Sequence, residues 1–272
     1  MTTLNEQAQF LKDNLDLVLE IQAVKFIEDE SQIPENAVRA KDELGHLALC
    51  QAMALTKRQG KTVYTCKEAE WCWAPVISLG YVECAPGTPG FEEVSMFIGI
   101  PDPDRAKAFL DHFPKLPYGK YKGLLIGPAR TADFEPDVLL INCDNNFQLR
   151  TLIGAIKSQT GKMLDVSLEM IDSCVYTLVK SMITREYTMA VPDPGDQERA
   201  LAQSNEMILG VPVEKMGELI EGCKFNMSHH IGYHDMQPMM EYEFERPSFY
   251  NRLFELWGLG QSKVWERELK NK

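Results

Sequence analysis

The chain has 272 residues and a formal net charge of −12, and 44% of its residues are hydrophobic and 25% charged. This composition is typical of globular proteins and excludes a disordered or fibrous chain. The negative charge, without any run of Lys and Arg, argues against nucleic-acid binding because a polyanion would be repelled. No apolar stretch has the length of a membrane span and no signal peptide is evident, so we expect a cytoplasmic protein that does not enter membranes.

The first part of the chain predicts alternating helices and strands. Apolar positions at helical spacing over residues 8–18 predict a helix, and residues 21–26 are apolar and β-branched as in a strand. A second helix is predicted over residues 42–59, because Gly60 follows as glycine often does at a helix end. Residues 61–64 predict a short strand.

The next segment carries a helix-start signal. Thr65 and Glu68 form the Thr-x-x-Glu pattern in which each side chain binds a free backbone N–H at a helix start, so we predict a short helix that carries Cys72. Residues 91–100, between two turn clusters, predict a strand or an exposed loop.

Later elements complete the predicted fold. They are helices over residues 106–113, 149–156 and 173–183, strands over 122–126, 137–141, 187–191 and 206–209, a helix begun by Pro212, and a last helix begun by Pro247. We predict an α/β (mixed α+β) protein, a single compact domain with a central mixed sheet flanked by helices. Residues 1–222 would form the body, and residues 223–272 a His/Met-rich C-terminal extension packed on the same domain.

The turn after the strand at residues 137–141 is a candidate catalytic site. Ligands of open α/β sheets bind where strands end and helix N-termini present free N–H groups. Cys143 near a helix start could have a lowered pKa and act as a nucleophile, and Asn145 could bind substrate through its amide. The alternative is that Asp144 or Asn145 caps the helix and Cys143 is buried.

The seven cysteines suggest a second candidate site. An odd number without an export signal favours reduced thiols over disulfides. Four of them, Cys50, Cys66, Cys72 and Cys84, fall within 35 positions, which is suggestive of iron–sulfur or soft-metal ligation. No Cys-x-x-Cys pair is present, and Cys66 and Cys72 on one helix would face different ways, so scattered buried thiols are the alternative.

A third candidate is a histidine cluster. His229, His230 and His234 lie close together, with three glutamates following, and these side chains are ligands for zinc or ferrous iron. The alternative is an ordinary polar surface segment, because neighbouring histidines do not require a metal.

Short motifs in a fixed order resemble a known family. They are Cys50-Gln51 on a helix, Cys72 followed by Leu79-Gly80, Pro136-Asp137-Val138 leading to Gln148, and Glu206-Met207 with Gly210-Val211-Pro212. Over residues 24–222 the chain resembles the domain-of-unknown-function 169 family, also called archaeal Cys-rich or ArCR proteins.

The resemblance implies a single α/β body found mainly in anaerobic bacteria and archaea, and its Cys-rich name suggests a thiol-bound metal or cluster. Cys50 and Cys72 match best and Cys174 plausibly so, which makes these three the expected cofactor-binding residues. A later position that often carries another Cys reads Asp193-Pro194-Gly195 here. The resemblance supplies no reaction.

Two hypotheses follow. The chain could be a metal- or iron–sulfur-dependent enzyme of anaerobic small-molecule metabolism, with the cofactor on the cysteines or a single metal ion on the histidines. Alternatively, it could be a non-catalytic small-molecule or partner-binding protein with reduced, metal-free cysteines. Self-association into a homo-oligomer is compatible with either.

Overall fold

The computed structural model describes residues 3–229 and 248–259. The chain divides into two compact units, Met1–Tyr233 and His234–Lys272. In the second unit one helix is described, Ser248–Leu256, which agrees with the predicted last helix. The candidate ligands His230 and His234 lie outside the described residues.

A mixed sheet forms the centre of the first unit. Its strands are β1 (Gln22–Ile27), β2 (Val38–Arg39), β3 (Val63–Cys66), β4 (Gly123–Pro128), β5 (Val138–Cys143), β6 (Thr188–Ala190) and β7 (Met207–Pro212). They follow the order β2-β3-β4-β1-β5-β7-β6, in which β2 and β3 are parallel and the other neighbours are antiparallel. The predicted mixed α/β fold is confirmed.

Helices surround this sheet. They are α1 (Leu4–Asn14), α2 (Ala40–Glu43), α3 (Leu49–Gln59), α4 (Trp73–Ser78), α5 (Phe91–Phe97), α6 (Pro103–His112), α7 (Asn146–Thr160), α8 (Lys180–Thr184), α9 (Pro194–Ala200) and α10 (Met216–Ser228). A π-helix, Val175–Val179, precedes α8, and short 3₁₀ turns occupy Glu30–Gln32 and Val213–Lys215. The helix of the second unit is α11.

Alternating residues of β5 contribute to two different cores, because successive side chains of a strand point to opposite faces. On β5, Val138 and Leu140 belong to the core that also contains Leu49 of α3 and Cys174. Leu139 and Ile141 belong to the second core, with apolar side chains of α1, α7 and α10. Cysteines are therefore distributed over both faces of the sheet.

The helix predicted over residues 42–59 is wrong in its first half. Gly45 has a φ of +83°, which favours glycine, and it separates α2 from α3. Leu47 then pairs in parallel with Glu70: its N–H donates to Ala69 at 3.0 Å, and its carbonyl accepts from Trp71 at 3.2 Å. This pairing brings the start of α3 next to the start of α4.

Two further local predictions are wrong. Thr65 lies in β3, paired with Leu124, so the Thr-x-x-Glu pattern does not start a helix, and Cys66 ends the strand. Cys72 is the N-cap residue of α4 rather than a helix-interior residue. The long-range pairing of Thr65 with β4 therefore overrides the local capping signal. The second wrong prediction concerns residues 91–100, predicted as a strand or loop, which contain the helix α5.

The π-helix packs closely on the sheet. A Cβ atom at Gly210 of β7 would collide with the carbonyl oxygen of Thr177. The Thr188 hydroxyl on β6 donates to that same carbonyl at 2.8 Å. Glycine at this position therefore permits the approach that places Cys174 and the π-helix on the sheet.

Candidate functional site

Segments distant in sequence meet around a cavity of about 190 Å³. The lining comes from the starts of α3, α4 and α9, the end of α5 and the segment before the π-helix: Ala48, Leu49, Cys50, Cys72, Trp73, Pro75, Phe97, Ile171, Asp172, Cys174, Asp193, Pro194, Gly195, Glu198 and Arg199. We call it the three-cysteine pocket. It contains all three cysteines expected to bind a cofactor.

Each of these cysteines lies at the beginning of a helix. Cys50 is in the first turn of α3, Cys72 immediately precedes α4, and Cys174 immediately precedes the π-helix. The Cys50 Sγ lies 3.9 Å from the carbonyl oxygen of Gly195 on α9. Cys174 is buried, whereas Cys50 and Cys72 are half-buried. The pocket thus gathers thiols from three separate parts of the chain.

Burial raises the pKa of all three thiols above the ordinary value of a cysteine, which favours their protonated form. Burial, followed by the charges of Asp196 and Asp193, raises the pKa of Cys50 to about 12. Burial raises the pKa of Cys72 to about 11 and that of Cys174 well above its ordinary value. A helix start normally favours a thiolate, but here desolvation is the larger effect.

Glu70 holds the loop that carries Cys72. Its Oε1 accepts backbone N–H groups from Leu49 at 3.2 Å, Trp71 at 3.0 Å and Cys72 at 2.9 Å. Its Oε2 is buried and has no hydrogen-bond partner within the part of the chain that the structure describes. Burial raises the pKa of this carboxyl to about 7 despite the three N–H donors. Glu70 therefore fixes the relative positions of two cysteine-bearing helix starts.

Asp193 and Asp196 lock α9 against the segment before the π-helix. The two carboxylates of Asp193 and Asp196 accept each other's backbone N–H groups at 2.9 and 3.2 Å. The backbone N–H of Ser173 donates to Asp193 at 2.9 Å, and the Ser173 hydroxyl donates to Asp196. Burial, followed by the charge of Asp193, raises the pKa of Asp196.

Asp172 is a lining residue whose carboxyl group is buried with its hydrogen bonds incomplete. It is 6% exposed, its Oδ2 has no hydrogen-bond partner among the described residues, and its backbone has a φ of +68°, which is unusual for a residue other than glycine. Burial, followed by the charge of Asp193, raises its pKa to about 8. A buried carboxyl oxygen without a partner is costly and needs a proton, a cation or a ligand.

The donor set has the chemistry of a soft-metal site. Thiols together with a carboxyl oxygen can hold zinc or the iron of a cluster. Among residues 3–229 and 248–259, however, no three His, Cys, Asp or Glu side chains are arranged as ligands of one ion. The pocket therefore gathers suitable donors without presenting a preformed coordination shell.

The predicted site at residues 142–146 has a different character. Cys143 is fully buried at the end of β5, and burial, then Asp144, raises its pKa to about 12, so the expected lowering is wrong. Asn145 is the N-cap of α7 and accepts the N–H of Gln148 at 3.0 Å, while its amide donates to Asp144 at 2.9 Å. Catalytic roles for Cys143 and Asn145 stay predictions.

Of the three histidines in the predicted cluster, the structure describes His229. His229 follows the end of α10, and its Nδ1 lies 2.9 Å from the carbonyl oxygen of Phe225 and 3.0 Å from the Ser228 hydroxyl. The metal site predicted at His229, His230 and His234 stays a prediction, because two of its members lie outside the described residues.

The carboxyls of the pocket were not predicted from the sequence. One signal was present: Asp193-Pro194-Gly195 stands where the resembled family often carries another Cys, and this segment lines the pocket. Glu70 and Asp172 carry no comparable signal, because their importance arises from burial and from missing partners.

Fold and site together define a mixed α/β protein with free thiols gathered at one pocket. Residues 10–222 match one family model, so the chain belongs to the domain-of-unknown-function 169 family, described as Uncharacterised ArCR. No match is found among curated proteins or among solved structures. In the described part of the chain, no helix combines the length and apolar character needed to cross a membrane.

Proposed function

We propose that this protein binds a soft metal ion or an iron–sulfur cluster through Cys50, Cys72 and Cys174. In this proposal it is a metal-dependent enzyme of anaerobic small-molecule metabolism that acts in the cytoplasm. The observation that supports it best is the convergence of these three thiols on one pocket, together with the unpartnered Oδ2 of Asp172.

A bound cation would ease the ionisation of the thiols and carboxyls of the pocket. The pKa values of its three thiols and of Glu70 and Asp172 are all raised, chiefly by burial. Among the residues that line the pocket, Arg199 is the one cationic side chain, and it is exposed. A metal ion would compensate the cost of ionising these groups and would be bound more tightly as the thiols lose their protons.

The side chains divide into ligands and positioning residues. Cys50, Cys72 and Cys174 would hold the metal, which would supply Lewis acidity or electron transfer. Glu70 positions the starts of α3 and α4 through its three N–H contacts. Asp172 can hold or release a proton near neutral pH because burial has moved its pKa to about 8.

The cavity limits the size of a substrate. Its volume of about 190 Å³ is below the range of about 300–1,000 Å³ usual for drug-sized ligands. Trp73 and Phe97 form an apolar side, with ring centroids 5.9 Å apart. We therefore propose a small organic substrate with few heavy atoms beside the metal.

The test is metal and sulfide analysis of untagged protein purified without oxygen, with an absorption spectrum. We expect metal in the wild type and its loss in the variants Cys50→Ala, Cys72→Ala and Cys174→Ala. Cys223→Ala is the matched control, because Cys223 is buried in the core on the opposite face of the sheet. Folding of each variant is checked by circular dichroism.

The outcomes separate the candidate sites. Acid-labile sulfide with iron indicates a cluster, and metal without sulfide indicates a single ion. Metal that survives all three cysteine substitutions but is lost in His229→Ala would contradict the proposal and move the site to the histidine cluster.

A metal-free binding protein is the second candidate function. It is favoured by the protonated thiols and by the lack, among the described residues, of three side chains arranged as metal ligands. In this case the pocket would bind a small molecule or partner group through hydrogen bonds to Asp172 and apolar contacts to Trp73. A colourless, metal-free protein after anaerobic purification would support this candidate.

A further inference from the structure

We infer that a second cavity binds a small organic anion with a flat apolar body. This cavity has a volume of about 550 Å³ and lies between the end of α6, the π-helix with α8, and residues 167–169. It shares no lining residue with the three-cysteine pocket. The inference therefore goes beyond the proposed metal site and does not depend on it.

Aromatic side chains form a stable wall of this cavity. Phe113 is 2% exposed, and its ring centroid lies 6.0 Å from that of Phe109 and 6.0 Å from that of Tyr176. On its other side Phe113 stacks on Trp73, with centroids 5.7 Å apart and an interplanar angle of 21°. Held against Phe113 in this way, the half-buried rings of Phe109 and Tyr176 offer apolar surface against which a planar ligand can pack.

Lysines provide the charge at the same cavity. Lys115 and Lys180 both line it, and Lys180 makes no ion pair with any described residue. Lys180 is half-buried, so a ligand that contacts its ammonium group would be partly shielded from water. Shielding strengthens an ion pair or a charge-assisted hydrogen bond to a carboxylate.

The acidic side chains of the lining already have partners. The carboxylate of Asp111 binds the Lys107 ammonium group on the same helix. Glu169 accepts the backbone N–H of Ile171 at 2.7 Å. Lys180 is therefore available to an external anion, in a chain whose net charge is −12.

The π-helix accounts for the placement of these groups. Tyr176 lies within it and Lys180 follows directly after it, and both line the cavity. π-helical turns are rare and occur frequently at functional sites. Here the turn is held on the sheet by the close approach of Thr177 to Gly210. A volume of about 550 Å³ is within the usual range for small-molecule sites.

The test compares a flat anion with its uncharged counterpart. Isothermal titration calorimetry of the full-length reduced protein near neutral pH would measure the binding of naphthoate and of naphthamide. We expect naphthoate to bind about tenfold more tightly than naphthamide. Lys180→Met should remove this preference by weakening naphthoate about tenfold, while naphthamide binding stays unchanged.

Matched variants define the site. Lys162→Met is the control for charge, because Lys162 is exposed and does not line the cavity, and it should leave both affinities unchanged. Ile183→Trp should weaken both probes by filling the cavity.

The inference is overturned by equal affinities for naphthoate and naphthamide, by unchanged naphthoate binding in Lys180→Met, or by the absence of naphthoate binding at about 1 mM. Thermal unfolding of each variant shows whether a lost affinity reflects a lost fold.

Discussion

Two cysteine-bearing regions of this molecule differ in how their polar groups are used. At residues 142–146 the side chain of Asn145 caps the helix α7, and Cys143 is fully buried in the sheet. In the three-cysteine pocket, by contrast, the Oδ2 of Asp172 has no partner, and the thiols of Cys50 and Cys72 lie beside a cavity. The cap at Asn145 is locally complete, although the Nδ2 of Asn142 in the same region is buried with no hydrogen-bond partner among the described residues. In the pocket, the group without a partner is a carboxyl oxygen beside a cavity.

This difference distinguishes a structural arrangement from a binding site. Polar groups whose hydrogen bonds are all made within one turn stabilise that turn and are not available to a ligand. Buried groups that lack a partner raise the free energy of the folded protein unless something binds them. The following predictions test whether the two regions differ in this way.

The largest expected effect is that of Gly210→Ala. The added Cβ would collide with the Thr177 carbonyl and push the π-helix, and with it Cys174, away from the sheet. We expect a loss of about 3 kcal/mol in the free energy of unfolding, measured by urea denaturation, and a loss of bound metal. Gly217→Ala is the control, because a Cβ there in α10 would meet the Gln7 Nε2 at 4.0 Å, an ordinary van der Waals contact, and should not destabilise. Unchanged stability in Gly210→Ala would contradict the described packing.

Cys143→Ser tests the first region. The Cys143 side chain is fully buried, so its replacement places a hydroxyl group in the apolar core formed with α7. We expect about 2 kcal/mol of destabilisation with unchanged metal content. The measurement is denaturant unfolding under reducing conditions, together with metal analysis. Lost metal or activity at unchanged stability would show that Cys143 is a functional residue, as the sequence suggested.

Asn145→Ala removes the N-cap of α7. The Asn145 side chain accepts the N–H of Gln148, and a helix that loses such a cap is destabilised by about 1 kcal/mol. Asn145→Asp should preserve the cap and most of the stability. Thermal unfolding compares the two variants. If both were stable but failed to bind a ligand that the wild type binds, Asn145 would belong to a site.

Sequence patterns predicted the elements of this fold better than they predicted the site. The strands β4 and β5, with the helix after Asn145, were readable because apolar runs and cap residues are local signals. The break at Gly45 and the pairing of Leu47 with Glu70 depend on a contact across the chain, so the helix over residues 42–59 was predicted too long.

The site was predicted in part for a similar reason. Cys50, Cys72 and Cys174 were selected through a family resemblance, and the structure places all of them at one pocket. The carboxyls of Glu70 and Asp172 were missed, because an acidic residue in a sequence gives no indication that folding will bury it without a partner.

The smallest expected effect concerns Glu20, a carboxylate that lies beside two cationic side chains, unlike the carboxyls of the three-cysteine pocket. Glu20 accepts two hydrogen bonds from the Arg130 guanidinium at 2.9 and 2.7 Å, and its carboxylate lies 3.1 Å from the Lys12 ammonium group. The bond to Arg130 is the main cause that lowers the pKa of Glu20 below its ordinary value, against the opposing effect of burial. Its ionised form therefore stabilises the folded protein.

Glu20→Gln should thus cost up to about 1 kcal/mol near neutral pH. Because the pKa is lower in the folded than in the unfolded state, this contribution is complete above the ordinary pKa of 4.5 and is lost as the pH falls through the lowered value. Urea denaturation at several pH values would show wild type and variant converging in acid. Glu28→Gln is the control, since Glu28 is exposed and its pair with Lys120 is longer, at 3.4 Å. A difference that persisted in acid would show that Glu20 stabilises the fold through packing rather than through charge.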